Sequence, residues 1–127
     1  MEHIFYSVGN VEKISWAIKT KDILKIQSRD HIEKYKNKVT DIQSNFVALH
    51  VGLFWAIGVF IVKNEDTITI KLEDETMIRN LKSELNTDDE FIKNRIQFIN
   101  QLITQRKFKV KFQLIKPGEN LARKRNQ

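Results

Sequence analysis

Seven cations gather towards the end of the chain: Lys107, Lys109 and Lys111 at alternate positions, then Lys116, Arg123, Lys124 and Arg125. On a strand, alternate positions share a face, so the three lysines could meet successive phosphates of a nucleic acid without reading its bases. The same spacing also suits a strand edge guarded against aggregation. Two acidic runs, Glu73-Asp74-Glu75 and Asp88-Asp89-Glu90, are the candidates for holding a hard divalent ion such as Mg²⁺. Both also stand where helix starts favour negative charge. His50 lies in an apolar run and could act as ligand or general base, or it could be a partly buried ring bonded to a neighbouring group. No second histidine or cysteine stands at metal-ligand spacing from it. His3 and His31 are expected at the surface. Trp16 and Trp55 sit in apolar patterns, which points to core positions rather than stacking platforms. With four glycines in total there is no glycine-rich phosphate loop.

These residues need a scaffold, and 127 residues suffice for one core, so a single domain over 1–127 is expected. Apolar residues at 41% and charged residues at 30% suit a folded globule. A net charge of +6 favours anionic partners. The absence of cysteine excludes disulfides and zinc-thiolate sites and fits a reducing compartment. Met1–Asn10 lacks a basic leader and a long apolar run, so the expected location is cytoplasmic.

The elements follow from periodicity. Ile4–Val8 ends at the turn pair Gly9-Asn10, Ile14, Trp16 and Ile18 alternate with small or polar residues, and Ile23–Ile26 follows after Thr20-Lys21-Asp22. Short connections make this an antiparallel meander of three strands. Ile32, Tyr35, Val39, Ile42 and Phe46 recur at helical spacing, which predicts a helix from about Asp30, broken near Ser44-Asn45 and continuing through Phe46–Val62. The latter segment is apolar all round, so it is either buried on both sides or spans a membrane; its length of about 17 residues, its histidine and its two glycines favour burial. Ile68, Ile70 and Leu72 mark a fourth strand. Met77, Ile78, Leu81 and Leu85 mark a short helix, and the Thr87–Glu90 capping spacing begins another with Phe91, Ile92, Ile96, Ile99, Leu102 and Ile103 inward. Phe108, Val110, Phe112 and Leu114 alternate with Lys107, Lys109, Lys111 and Gln113 as a last strand, before Pro117-Gly118 and a short helical tail.

This order resembles the ribonuclease H-like superfamily, an α/β fold with a five-stranded mixed sheet, a buried central helix and flanking helices. Ala48–Ile57 looks like its central helix, Ile68–Leu81 is similar to its fourth strand and the following helix, and Lys111–Ala122 resembles the last strand and the loop into the final helix. The resemblance implies a phosphodiesterase site in which carboxylates from four elements hold two Mg²⁺ ions. Here those positions fall at Ser7 or Val8, Leu49, Asp74 and Arg123, so Asp74 is the one matching acid. Glu73, Glu75 and Glu119 lie near enough to serve as substitutes.

The expected function is therefore a catalytically degenerate domain that binds RNA, DNA or an RNA/DNA hybrid through Lys107, Lys109, Lys111, Lys116, Arg123, Lys124 and Arg125, without a cofactor. Two alternatives stand beside it. One is a module that forms a homodimer or holds a protein partner, the other a Mg²⁺-dependent nuclease with rearranged ligands.

Overall fold

The computed structural model describes the backbone of residues 1–126 and the side chains of residues 1–123. Strands β1 (Glu2–Gly9), β2 (Lys13–Thr20) and β3 (Ile23–Asp30) form the antiparallel meander, helix α1 (Asp41–Gly58) crosses back, and β4 (Thr67–Leu72) returns parallel to β1. Helices α2 (Glu75–Leu81) and α3 (Glu90–Arg106) precede β5 (Lys109–Leu114), which lies parallel to β4. The sheet order is β3-β2-β1-β4-β5, so the five-stranded mixed sheet has β1 at its centre. That position explains why β1 is apolar on both faces: Phe5 faces one layer and Tyr6 and Val8 the other, all buried.

The larger core fills the α1 side of the sheet. Phe5, Trp16, Ile18, Ile68 and Ile70 pack there against Phe46, Leu49 and Leu53. Gly52 permits this approach, because a Cβ on it would lie 2.6 Å from the Phe5 ring and 2.8 Å from Trp16. On the other side Tyr6, Val8 and Ala17 meet Ile115 and Ala122 under the 3₁₀ segment Leu121–Asn126, which covers only the β1–β3 part of the sheet. Ala122 anchors this segment to the sheet. No described helix is long and apolar enough to cross a membrane.

The helical stretch differs from the expectation. Residues 33–38 form turns rather than a helix. The chain reverses at Asn37, whose φ of 60° is left-handed, and Thr40 starts α1 by accepting the Gln43 N–H while Gln43 returns a bond to the Thr40 N–H. From there α1 runs unbroken through Ser44-Asn45, because both side chains have long-range partners: Ser44 bonds His31, and Asn45 accepts the Gly9 N–H. Nor is α1 buried on all sides. Ile42 and Phe54 face outward, and the chain leaves the helix through exposed Val59 and Phe60. Helix α3 starts two residues later than a Thr87 cap would place it, with Asp89 accepting the Ile92 N–H and Thr87 accepting that of Asp89.

Candidate nucleic-acid interface

The positions that the resemblance reserves for acids lie around the C-terminal ends of β1 and β4, and each has a different local fate. The Ser7 side chain is buried on the α1 side of β1, with a hydroxyl that has no hydrogen-bond partner among the described residues. Leu49 is fully buried in α1. Asp74 is the N-cap of α2, its Oδ1 accepting the Met77 N–H at 3.2 Å, which is what the acidic helix start suggested. Arg123 reaches back 50 positions to Glu73 and makes a bidentate pair, Nε to Oε2 and a terminal nitrogen to Oε1, both 2.7 Å. Asn120 completes the cluster by donating from Nδ2 to Glu73 at 2.6 Å and to the Ser7 carbonyl at 3.1 Å. Burial alone would push the Glu73 carboxyl up; bonding to Arg123 and Asn120 outweighs it and holds the group below the usual glutamate range. Glu119 is exposed and accepts the Lys116 N–H. Among the described residues, no three histidine, aspartate or glutamate side chains converge on a point where a metal ion could be held.

The predicted basic residues do not all share one face. Lys109 and Lys111 stand exposed on β5, an edge strand. Lys107 is outside that strand: it ends α3 with a left-handed φ of 57°, its N–H directed to the Ile103 and Thr104 carbonyls, so the alternation does not extend to it. Lys116 lies beyond the strand, Arg123 is engaged by Glu73, and the side chains of Lys124 and Arg125 lie outside the described residues.

Sheet register supplies two cations that the linear sequence did not single out. Lys19 lies beside Ile4, Ile4 beside Thr69, and Thr69 beside Lys111, which makes one row across β2, β1, β4 and β5. In the next row Tyr6 lies beside Lys71, whose Nζ sits 5.6 Å from the Tyr6 ring centre. The row on the other side runs Glu2, Thr67, Lys109. Paired residues of neighbouring strands project to the same side, so Lys19, Lys71, Lys109 and Lys111 share the sheet face opposite α1. The 3₁₀ tail packs on the β1–β3 half of this face, and α2 and α3 belong to the opposite layer, so the β4–β5 half is the more open one among the described residues. None of the four lysines has an ion-pair partner among the described residues.

The histidines are structural and mostly inside. His3, expected at the surface, is buried and links Thr20 at 2.6 Å to Asp66 at 2.8 Å. His31, likewise buried, bonds Ser44 at 2.7 Å and the Asn10 carbonyl at 3.0 Å. Such rings are kept inside by partners from distant segments, which engage both nitrogens of His3 and, for His31, Nε2 in both contacts. His50 accepts from Arg95 at 2.9 Å and stacks on Phe98, while Arg95 also donates to the Tyr35 hydroxyl at 2.8 Å. Burial, with the Arg95 charge adding to it, holds His50 below the usual histidine value.

Comparison by sequence finds no match, either to a family model or to a curated protein. Comparison by structure finds several. An RNase H1 from the halophilic archaeon Halobacterium salinarum superposes with a TM-score of 0.74 at 14% identity, over 95% of this chain and 89% of that one. The N-terminal RNase H domain of a Mycobacterium tuberculosis protein gives 0.71 at 9% identity, over 94% and 85%. An RNase H1 solved in complex with an RNA/DNA hybrid gives 0.70 at 15% identity, over 94% and 88%. With these superpositions covering nearly all of both chains, the chain has the ribonuclease H-like fold.

Proposed function

We propose that the chain is a non-cleaving ribonuclease H-like domain that binds nucleic acid by its phosphates, using the open sheet face. The observation that carries this reading is the set of Lys71, Lys109 and Lys111 on the β4–β5 half of this face, joined by exposed Lys19 on β2, none of them ion-paired among the described residues. Exposed lysines at strand spacing, about 7 Å apart along β5, suit a polyanion. A structural relative solved with an RNA/DNA hybrid supports the choice of ligand class, and Lys116, Lys124 and Arg125 would extend the contact from the tail.

Hydrolysis is a different matter, because a two-ion site needs several carboxylate oxygens free to converge. The donor set here does not fit Mg²⁺: Glu73 is clamped by a guanidinium, Asp74 is turned to a helix N-terminus, and Ser7 and Leu49 supply no carboxylate. The test is to incubate an end-labelled RNA/DNA hybrid with the protein in Mg²⁺ and in Mn²⁺, and to measure retention on filters at low and high salt. Salt-sensitive retention of intact hybrid is the expected result. Cleavage that disappears in Asp74→Asn would establish the nuclease alternative instead, and no retention at low salt would remove the binding claim.

A further inference from the structure

On the opposite side of the molecule from the lysine face, a cleft of about 510 Å³ opens between β3, α1 and α3. Its floor and walls are apolar: Val51, Phe54, Trp55, Gly58 and Val59 all belong to α1 or its immediate exit. Phe54 is 64% exposed there, a large apolar surface left to water within a concave site. Two guanidinium groups border it, Arg29 from β3 and Arg95 from α3. Neither has a carboxylate partner among the described residues. Arg29 lies over the Trp16 ring at 5.2 Å, and the partners of Arg95 are His50, the Tyr35 hydroxyl and the faces of Tyr35 and Phe91. A half-buried cation whose neighbours are all neutral is an uncommon arrangement, since desolvation is normally repaid by an anion. The Arg95 charge is also felt by its surroundings, adding to burial in depressing the proton affinity of His50. Because His50 Nδ1 accepts from Arg95, the neutral ring carries its proton on Nε2 as a further donor.

We infer that this cleft, formed by Arg29, His50, Phe54, Trp55, Val59 and Arg95, binds a small organic anion with an aromatic or aliphatic body. The body would cover Phe54, Trp55 and Val59, and the carboxylate would give the two arginines the anionic partner that neither has among the described residues. The volume is within the range of small-molecule sites, and a predominantly apolar lining with a few convergent donors is their usual make-up. Charge complementarity selects an anion, and the aromatic wall selects an apolar body over a sugar or bare phosphate.

The full chain, labelled with ¹⁵N, is titrated with 1-naphthylacetate as probe, with neutral 1-naphthylacetamide as its control. Saturable shifts are expected at Arg29, at the amides of residues 50–59 and at the Trp55 indole, with the amide control weaker by about tenfold, as the loss of one charge-assisted contact implies. Arg29→Gln removes an exposed cation and should weaken the probe about fivefold, while loss of its contact over Trp16 lowers the melting temperature by only about 2–4 °C. Four results would each overturn the inference: no saturable shift up to about 10 mM probe, equal binding of the neutral control, indifference to Arg29→Gln, or displacement of the probe by a short oligodeoxythymidylate, which would make the cleft part of the nucleic-acid interface.

Discussion

Replacing Arg123 by alanine removes the ion pair between the C-terminal segment and the carboxylate beside β4, and its cost can be worked from the geometry. Two charge-assisted hydrogen bonds at 2.7 Å are lost, and the Glu73 side chain, 15% exposed, keeps only Asn120 as a partner. Breaking a fully buried pair costs about 3–5 kcal/mol. The Arg123 side chain is 41% exposed, so water screens part of the loss and a cost of about 2 kcal/mol is expected. For a domain of this size that lowers the melting temperature by about 6–10 °C. Urea unfolding of the wild type, Arg123→Ala, Glu73→Gln and the double variant closes a cycle, in which a coupling of about 1–2 kcal/mol is expected at neutral pH. Glu73 is held below its ordinary value, so the coupling should be complete above the usual glutamate range and fade as pH falls through the depressed one. Additivity within about 0.3 kcal/mol would refute the claim that this pair organises the site.

Three further outcomes test the packing and the buried polar groups. Gly52→Ala drives a methyl group to within 2.6 Å of Phe5 and 2.8 Å of Trp16, so chemical denaturation should show a loss of about 2–3 kcal/mol, whereas Gly58→Ala, whose Cβ would meet nothing within 4 Å, should be neutral or slightly stabilising. Burial lowers both His31 and His50 from 6.5; Arg95 adds to this at both, while the Asn10 carbonyl opposes it at His31. Their neutral rings therefore support the fold above pH 6.5, and that support drains as pH falls towards the depressed values, because the unfolded chain takes up the protons first. Melting temperature measured against pH should begin to fall near pH 6.5, and a curve flat down to the carboxylate range would contradict the assignment.

Local patterns made most of the sheet legible. The alternation in β2, β4 and β5 and the double-sided run of β1 each reflect a face that must be buried, and that constraint acts within a few residues. The stretch from Ile32 to Val39 misled because its apolar spacing is helical, yet Asn37 adopts a left-handed φ and Thr40 is built to start a helix, not to continue one. The apolar circumference of α1 suggested burial all round, but Phe54 has no layer above it. What periodicity could not show was long-range register. Lys19 and Lys71 join Lys111 only because β1 stands between β2 and β4, and Glu73 meets Arg123 only once the tail folds back. His3 and His31 were misplaced for the same reason, since Asp66 and Ser44, which satisfy them, are far away in sequence. The absence of acids at Ser7, Leu49 and Arg123 was plain from the residues; the ion pair in their place needed the fold.

The most direct test is the salt dependence of binding, measured by fluorescence anisotropy with a labelled RNA/DNA hybrid, for the wild type and for a variant with Lys19, Lys71, Lys109 and Lys111 all changed to glutamine. If these four lysines neutralise phosphates, the wild-type slope of log K against log salt should be steeper than the variant's by about 3–4, and raising salt from about 50 to 200 mM should cost the wild type about 100-fold or more in affinity. Equal slopes and equal affinities in the two proteins would show that the open sheet face is not where nucleic acid binds.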